Sequence, residues 1–527
     1  MAGFVSACVR HAQRTGRLAG RIGRPAGPPG RRLCGLASLA GRPRPAPAPA
    51  SAPPTGAGAA RAYTGVARDR VRGHRLRDGE RKCAPDPLTA VTPGISAEEY
   101  YFRRSLLSSK LPIGSVAICV GAEIKFRKGS AAFYGFNQDP DFFYLTGLNE
   151  PTAVFALERH SETEYTTHAY LRPKNHREEI WEGPRLGLEI VDEMFNFDTV
   201  KDIKFAAHEV AEMAKRATTV YFDMPKPRSE FASVFLSEPP ATEARLVAAI
   251  RDARKGRSVR ALRPVVDEMR TIKSAFELEV MREVGAISGA VFNKAYATEF
   301  DHEADLDAFL DYHFRTGGCE NSAYIPVVGG GENGLFIHYT VNNNPLRDGD
   351  LVLVDAGGQL GGYCADISRT WPVNGRFSGP QRDLYQAVLN VQKECLKLCT
   401  VDSGLSLNDI HRRSESLLAV ELRNIGFDAS RKQIAAVLYP HAVGHYLGLD
   451  VHDSPSVSKE RPLRHGQVVT IEPGVYVPYD DAFPRHFQGI GIRIEDDVFV
   501  DEASPIVLSS SALKEVDEIE ELCRERV

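Results

Sequence analysis

The chain has 527 residues, of which 43% are hydrophobic and 25% charged, a composition typical of a globular protein with about two to four domains. Residues 1–62 hold ten arginines and no lysine, aspartate or glutamate, so the other residues carry −14 (−4 minus 10) within the net charge of −4. We expect no nucleic-acid partner for such an acidic body, and no membrane span, because no apolar run approaches the roughly 18 residues that a span requires.

The opening segment predicts a mitochondrial transit peptide. Five arginines recur at a four-three-four-three spacing that aligns them along one side of a helix: Arg10, Arg14, Arg17, Arg21 and Arg24. An arginine-rich, acid-free segment is typical of a transit peptide, whereas a secretory signal needs a continuous apolar core. Residues 41–60 are rich in Pro, Ala and Gly and cannot form a packed core. The alternative is an ordinary disordered basic tail.

The same region indicates a compartment and a processing site. Nine cysteines without paired spacing suit a reducing environment, so we expect the mitochondrial matrix. The sequence Arg61, Ala62, Tyr63 and Thr64 is typical of two-step processing, in which one protease cuts after Ala62 and a second peptidase removes Tyr63. Cleavage elsewhere between residues 24 and 94 is the alternative.

Two domains are predicted beyond a linker at residues 63–93. Over 94–263, the strand-like runs SVAICVG, AVFALE and TTVYFDM alternate with helical segments such as ATEARLVAAIRDARKG, which predicts an α/β domain. The boundary falls near Arg263, and residues 264–527 form the second domain. There Ser274 and Glu277 have the spacing of a capping box, and apolar residues follow at helical spacing from Val280 to Val291.

Five residues with metal-binding side chains stand out in the second domain. Each lies in or beside a strand-like or glycine-rich segment, and together they make an oxygen-rich set: Asp355, Asp366, His445, Glu472 and Glu495. The sequence LVLVDAGGQLGGYCADISRT predicts a hairpin that brings its two aspartates together. Any one of these acids alone is more often a surface charge or an ion-pair partner. As a set, four carboxylates and one imidazole suit two hard divalent ions, of which Mn²⁺ is our first choice.

At these segments the sequence resembles the aminopeptidase P branch of the pita-bread metallopeptidases. The resemblance runs through HYTVNN, VLVDAGG, ADISRTWPVNGRF, HAVGHYLGLDVHD, TIEPGVY and GIRIEDD, and more weakly through NQDPDFFYLTGLNEP upstream. It covers roughly residues 94–520. Within the branch, the chain is most similar to the mitochondrial, intermediate-cleaving type. The resemblance implies an α/β (α+β) fold, with an amino-terminal creatinase-like α/β domain followed by a catalytic pita-bread domain.

The resemblance also implies a role for each candidate. Asp366 and Glu495 would bridge two metal ions, Asp355 would bind one ion, and His445 and Glu472 would bind the other. Further matching residues would contact substrate or stabilise the tetrahedral intermediate: His338, His441, His452, Arg493 and Tyr476. Tyr476 has a packing role as its alternative. The chain departs from the family at Ser368, where threonine is more usual, but the hydroxyl is kept.

The expected activity is that of a dinuclear metallo-aminopeptidase. A hydroxide bridging two metal ions would attack the first peptide carbonyl and release a single residue from the amino terminus of a peptide or an imported mitochondrial protein, X-Pro substrates included. One alternative is an X-Pro dipeptidase (prolidase). Another is a non-catalytic pita-bread protein that binds partners, although such proteins typically lose ligands and all five are present here. A homodimer is a further expectation.

Overall fold

The computed structural model describes residues 90–224 and 241–526. The predicted leader, the processing site at Tyr63 and Thr64, and all but the last residues of the linker lie outside this part of the chain. Among the residues described, no helix combines the length and the apolar character that crossing a bilayer requires.

A six-stranded mixed sheet organises the amino-terminal half. Its strands lie in the order β6-β5-β4-β3-β7-β8, and three pairs are parallel: β3 with β7, β5 with β6, and β7 with β8. The bounds are β3 (Ser115–Val120), β4 (Val154–Arg159), β5 (Tyr165–Leu171), β6 (Thr199–Asp202), β7 (Thr219–Tyr221) and β8 (Val259–Arg260). The strands predicted from SVAICVG, AVFALE and TTVYFDM are therefore confirmed.

Both faces of this sheet are covered. In β3, Val116 and Ile118 pack into one apolar cluster, while Ala117 and Cys119 pack into another, as the two-residue period of a strand requires. The same half also contains a short hairpin, β1 (Ala90–Thr92) and β2 (Ile95–Ser96), and the helices α1 (Ala97–Lys110), α2 (Pro140–Thr146), α3 (His176–Glu182), α4 (Leu188–Met194), α5 (Ala206–Arg216) and α6 (Ala241–Arg254).

Helix α7 (Arg263–Arg270) connects the two halves and is held to both by ion pairs. Arg270 donates from Nη1 to Asp141 of α2 at 2.6 Å and from Nη2 to Asp453 in the carboxy-terminal half. Lys273 donates to the other Asp453 oxygen at 3.2 Å. Because these four side chains are buried and their charges cancel, they fix the two halves against each other.

The carboxy-terminal half surrounds its strands with long helices. Ser274 and Glu277 form the predicted capping box of α8 (Ala275–Tyr296), which is thereby confirmed. The other helices of this half are α9 (Glu303–Gly317), α10 (Gly379–Lys397), α11 (Leu407–Asn424), α12 (Arg431–Gln433) and α13 (Val516–Arg524), with a short 3-10 helix at Gly331–Leu335 and a π-helix at Ile434–Leu438. Another short 3-10 helix, Ile203–Phe205, precedes α5 in the amino-terminal half.

Several small antiparallel sheets form the centre of this half. They have the orders β10-β11-β14, β13-β12-β9, β15-β18-β19 and β16-β17. The strands are β9 (Asn321–Ser322), β10 (Val327–Gly330), β11 (Leu351–Ala356), β12 (Gly358–Leu360), β13 (Tyr363–Cys364), β14 (Ile367–Pro372), β15 (Val468–Ile471), β16 (Gly474–Tyr476), β17 (Gly491–Arg493), β18 (Asp496–Phe499) and β19 (Ile506–Val507). The mixture of helices and sheets agrees with the expected α/β (α+β) class.

Candidate metal centre

The five predicted ligands lie at strand ends that converge. Asp355 is near the end of β11, and Asp366 immediately precedes β14, the strand that pairs with β11. Glu472 immediately follows β15, and Glu495 separates β17 from β18. His445 lies on a loop held against β15, because its backbone N–H donates to the Thr470 hydroxyl at 3.1 Å and its carbonyl accepts the Thr470 N–H at 2.9 Å.

Three of the five side chains form the tightest group. One potential ligand atom from each of Asp366, His445 and Glu495 lies within 4.8 Å of the others. The His445 Nε2 atom is 3.4 Å from an Asp366 oxygen and 3.6 Å from a Glu472 oxygen. The other ring nitrogen of His445 lies 3.1 Å from the Tyr446 carbonyl, so Nδ1–H donates there and Nε2 faces the carboxylates. This orientation is the one that metal-binding histidines adopt in proteins.

Asp355 joins the group through a tyrosine that the sequence patterns did not predict. The Tyr324 hydroxyl contacts both Asp355 and Asp366. Burial raises the pKa of Tyr324 well above its usual value, and the two nearby carboxylates raise it further. Tyr324 precedes its partners by 31 and 42 residues, and no motif or spacing pointed to it. The tertiary fold alone brings it into the site.

Arg493 and Ser368 connect the carboxylates on the other side. Arg493 donates from Nη2 to Asp355 at 2.7 Å, from Nη1 to the Tyr476 hydroxyl at 2.7 Å, and from Nε to the Ser368 hydroxyl at 2.8 Å. Ser368 in turn donates to Glu495 at 2.7 Å. The serine at position 368, where threonine is more usual, therefore still provides the hydroxyl that holds Glu495 and Arg493 in a common orientation.

The predicted histidines lie at different depths. His441 is partly buried: its Nδ1–H donates to the Ala442 carbonyl at 2.9 Å, and Nε2 bonds to the Tyr476 hydroxyl at 3.0 Å. Burial, followed by the charge of Arg493, lowers its pKa to about 3, which keeps the ring neutral. His452 is exposed, with its ring centroid 4.6 Å from that of His445 and the two rings nearly perpendicular. His338 is also exposed, on the turn that follows the 3-10 helix Gly331–Leu335.

The electrostatics of this cluster suit divalent cations. Burial raises the pKa of Asp355 to about 6 and that of Glu472 to about 7, and it raises the pKa of Glu495 well above its usual value, with repulsion from neighbouring carboxylates adding to each shift. Burial, the largest single influence, opposes ionisation of Asp366, but the hydrogen bond and the charge of His445 and the hydrogen bond from Tyr324 together outweigh it and lower the pKa. Four crowded carboxyl groups with a guanidinium and an imidazole are short of positive charge. Divalent ions with an oxygen preference would supply it, so the donor set fits the predicted metals.

A cavity between the two halves is a separate feature. Its volume is about 970 Å³, and its lining includes Phe133, Tyr134, Trp181, Gln359, Gly362 and Leu449. None of the five predicted ligands lines it. We take the carboxylate cluster as the candidate site because the titratable groups with perturbed pKa values converge there.

Comparison with known proteins identifies the family. Residues 279–502 match the model of metallopeptidase family M24, and residues 100–221 match the model of the aminopeptidase P N-terminal domain. Intermediate cleaving peptidase 55 of Saccharomyces cerevisiae is 45% identical over 443 residues, covering 82% of this chain and 84% of that protein. The chain belongs to metallopeptidase family M24. Human Xaa-Pro aminopeptidase 3 is 34% identical over 469 residues, covering 85% of this chain and 88% of that protein.

Two further comparisons extend the likeness. The mitochondrial intermediate cleaving peptidase 55 of Arabidopsis thaliana is 37% identical over 434 residues, covering 82% of this chain and 84% of that protein. The crystal structure of the yeast peptidase has a TM-score of 0.74 and 44% identity, and covers 83% of this chain and 99% of that chain. The resemblance to the intermediate-cleaving aminopeptidases P and the predicted fold class are thus confirmed.

Membership settles several expectations. The protein is a metal-dependent aminopeptidase, so the prediction of an enzyme is confirmed and the non-catalytic alternative is set aside. Its cofactors are divalent metal ions. The relatives also support the predicted mitochondrial location.

Proposed function

We propose that the protein removes one amino-terminal residue from imported mitochondrial proteins and from peptides, X-Pro substrates included. The observation that carries this proposal is the convergence of four carboxylates and a correctly oriented imidazole in a chain that shares its family with the intermediate-cleaving and Xaa-Pro aminopeptidases. We also propose the matrix as its compartment, which is supported by the arginine-rich leader and by the cysteines of the described residues, all of which are free.

We propose two metal ions, held as the sequence predicted. Asp366 and Glu495 would contact both ions, Asp355 would bind one, and His445 and Glu472 the other. The orientation of His445 Nε2 toward Asp366 and Glu472 supports this assignment. When bound, divalent ions activate a water molecule and polarise the scissile carbonyl. Mn²⁺ is the proposed metal because oxygen ligands predominate.

The other residues would orient substrate and ligands. Arg493 donates a hydrogen bond to Asp355 and Ser368 donates one to Glu495, which holds the two carboxylates in fixed positions relative to each other. His441 is neutral and bonds to Tyr476, and the two polar side chains would contact the substrate together. His452 is exposed beside His445, and His338 is exposed next to Ile337, whose carbonyl lies 3.5 Å from Arg493; from there His338 and His452 would contact the peptide and donate hydrogen bonds to the tetrahedral intermediate.

We keep two structural expectations as proposals. The division into domains 94–263 and 264–527 is supported by the six-stranded sheet, whose last strand ends at Arg260, and by α7, which begins at Arg263. We also propose a homodimer, for which the neighbouring side chains of Ile180 and Trp181 on α3, 66% and 87% exposed, would offer apolar surface. Sedimentation of the purified protein would test the dimer.

A substrate comparison tests the function. Purified protein, stripped of metal and reloaded with Mn²⁺, is assayed on a long peptide with proline second, on the matching X-Pro dipeptide, and on a peptide beginning Tyr-Thr. Release of a single residue from both long peptides is expected, with Asp366→Asn as the inactive control. Cleavage of the dipeptide alone would make the protein a prolidase.

The chain's own leader offers a second test. We propose that maturation exposes Tyr63 and that an enzyme of this kind then removes it, leaving Thr64 as the first residue. Amino-terminal sequencing of protein isolated from mitochondria checks this. A Tyr63 start in active enzyme contradicts the trimming step, and an intact Met1 contradicts the matrix assignment.

A further inference from the structure

Glu303, the first residue of α9, is a buried carboxylate whose hydrogen bonds all come from one segment. Its Oε1 accepts the Gly330 N–H at 2.9 Å and the Asn333 side-chain amide at 2.8 Å. Its Oε2 accepts the Tyr339 hydroxyl at 2.9 Å and the Asn344 N–H at 2.9 Å. The residue is 0% exposed. The carboxylate therefore joins both ends of residues 330–344, which we call the His338 segment.

The energetics of this arrangement are unusual for a structural acid. Among the residues described, no lysine, arginine or histidine nitrogen approaches the Glu303 carboxylate within 4.0 Å, the range in which the other buried ion pairs are found. Burying an ionised carboxylate is costly unless hydrogen bonds replace its hydration. Here four neutral donors do so, and each bond to the charge is stronger than a bond between neutral groups. Loosening any part of the segment would remove a donor and leave the buried charge without full compensation.

The backbone of the segment is turned back on itself at both ends. Gly331 and Asn342 have positive φ values of 54° and 47°. The Asn342 side chain accepts the Val328 N–H at 3.1 Å and donates to the Pro326 carbonyl at 2.8 Å. Glu303 and Asn342 thus close the segment at two separate points, which reduces the freedom of the residues between them.

His338 lies near the middle of this closed segment. Its neighbours Ile337 and Tyr339 pack against the cluster that contains Tyr476, while His338 itself is exposed. The Ile337 carbonyl lies 3.5 Å from Nη2 of Arg493, the group that also binds Asp355. The position of His338 relative to the carboxylates therefore depends on how the segment is held.

We infer that Glu303 is a positioning residue, which holds the His338 segment so that His338 faces the substrate at the metal centre. The inference rests on the proposed function, because it takes His338 as a substrate-contacting residue. Among the residues described, Glu303 makes no hydrogen bond or ion pair with the carboxylate cluster, so its effect on turnover passes through the segment.

Glu303→Gln tests the inference, with Asp305→Asn as the matched control. Both changes remove one negative charge from the first turn of α9, but Asp305 is exposed, and its one ion pair among the residues described is with His302. In E303Q an amide nitrogen replaces one carboxylate oxygen, and it cannot accept the two bonds that this oxygen accepts. We expect kcat to fall roughly 10- to 100-fold in E303Q, the scale of a small misplacement of a reacting group, with metal content unchanged. D305N should stay within about twofold of wild type.

A double-mutant cycle separates positioning from a general structural effect. In a His338→Ala background, E303Q should cost less than about twofold, because the group that it positions is already gone. Equal losses in both backgrounds, or wild-type kcat in E303Q, would overturn the inference and leave the proposed function standing. Unchanged kcat in H338A itself would overturn both the role of His338 and the inference.

Limited proteolysis measures how tightly the His338 segment is held, without relying on activity. Chymotrypsin cleavage after Phe336, which is 62% exposed, should accelerate at least about fivefold in E303Q and stay near wild type in D305N. If E303Q does not fold, Tyr339→Phe removes one of the four donors and keeps the packed ring, and a smaller increase in cleavage is expected. Cleavage rates in both variants equal to wild type would overturn the inference.

Discussion

Glu495 and Asp496 are adjacent, both buried, and have opposite electrostatic surroundings. Burial and repulsion from Asp366 raise the pKa of Glu495 well above its usual value. Burial acts on Asp496 as well, but the charges of Arg369 and Lys514 overcome it and lower the pKa of Asp496 to about 2. Arg369 donates to Asp496 at 2.7 Å.

Glu495 immediately precedes β18 and Asp496 begins it, and the two buried carboxylates serve different purposes. Because successive side chains of a strand point to opposite faces, neighbours in the sequence can enter different surroundings. On one face the fold provides its own cations and hydrogen-bond donors, so the acid is structural. On the other face it gathers carboxylates and leaves their charge largely unbalanced, which is the condition for binding a cation from solution.

Neutralising one carboxylate of the proposed metal-binding cluster should abolish activity. Asp366→Asn or Glu495→Gln is expected to reduce turnover by more than the roughly 1,000-fold that losing one preorganised hydrogen-bond donor can cost, because an amide cannot bridge two cations. Folding should survive. The measurements are kcat and bound metal per chain. Near-wild-type kcat with a full metal complement in either variant would contradict the two-metal assignment.

Neutralising Asp496, the carboxylate that is paired with cations of the fold, should instead destabilise the protein. Asp496→Asn leaves Arg369 and part of Lys514 buried without a counter-charge, and we expect a loss of about 3–5 kcal/mol in the free energy of unfolding. Urea denaturation of the metal-free protein measures it. Glu495→Gln is the matched control and should not destabilise that protein, since it relieves repulsion. Equal destabilisation by the two variants would contradict the distinction between a structural Asp496 and a metal-binding Glu495.

Histidines beside the cluster should affect catalysis without affecting metal binding. His452→Ala is expected to lower kcat about 100-fold, the scale of one hydrogen bond to the tetrahedral intermediate, while metal content stays normal. His338→Ala should behave in the same way. Metal analysis of the purified variants provides the check. Loss of one equivalent of metal would show that the boundary between ligands and substrate contacts is misplaced.

The pH dependence of stability should differ with and without metal. In metal-free protein the pKa of Glu472 is raised to about 7 and that of Asp355 to about 6, so the folded state holds protons more tightly than the unfolded state. Their contribution to stability is present at low pH and is lost as pH rises, from about 3.8 to 6 for Asp355 and from about 4.5 to 7 for Glu472. Metal binding needs the ionised forms, so the Tm difference between loaded and metal-free protein should widen from about pH 5 to about pH 7.5. Glu472→Gln should reduce this widening.

The smallest expected effect is at Ser368. Ser368→Thr keeps the hydroxyl that joins Glu495 to Arg493, so kcat should change by less than about twofold. Ser368→Ala removes it and should cost more, since residues that orient a metal ligand typically contribute about 10-fold or more. Steady-state kinetics of the two variants under one metal condition decide the matter. Equal activities of S368A and S368T would assign the hydroxyl no role.

Local sequence determined much of this protein. The capping box at Ser274, the apolar strand at residues 115–120 and the antiparallel pair β11 and β14 beside Asp355 and Asp366 depend on patterns local in the sequence, and each formed where its pattern predicted. The motif segments also picked out the residues that converge in the cluster. Short-range hydrogen bonds and apolar periodicity are encoded within one element, which is why one sequence is enough to read them.

Tertiary structure decided the surroundings of those residues. Tyr324 reaches Asp366 across 42 residues, Arg493 reaches Asp355 across 138, and Glu303 holds Asn344 across 41. No local pattern distinguishes Glu495 from Asp496, because both are acids at the start of β18. Whether a buried carboxylate meets a cation or another carboxylate depends on which distant strand packs against it. Only the folded chain specifies that contact.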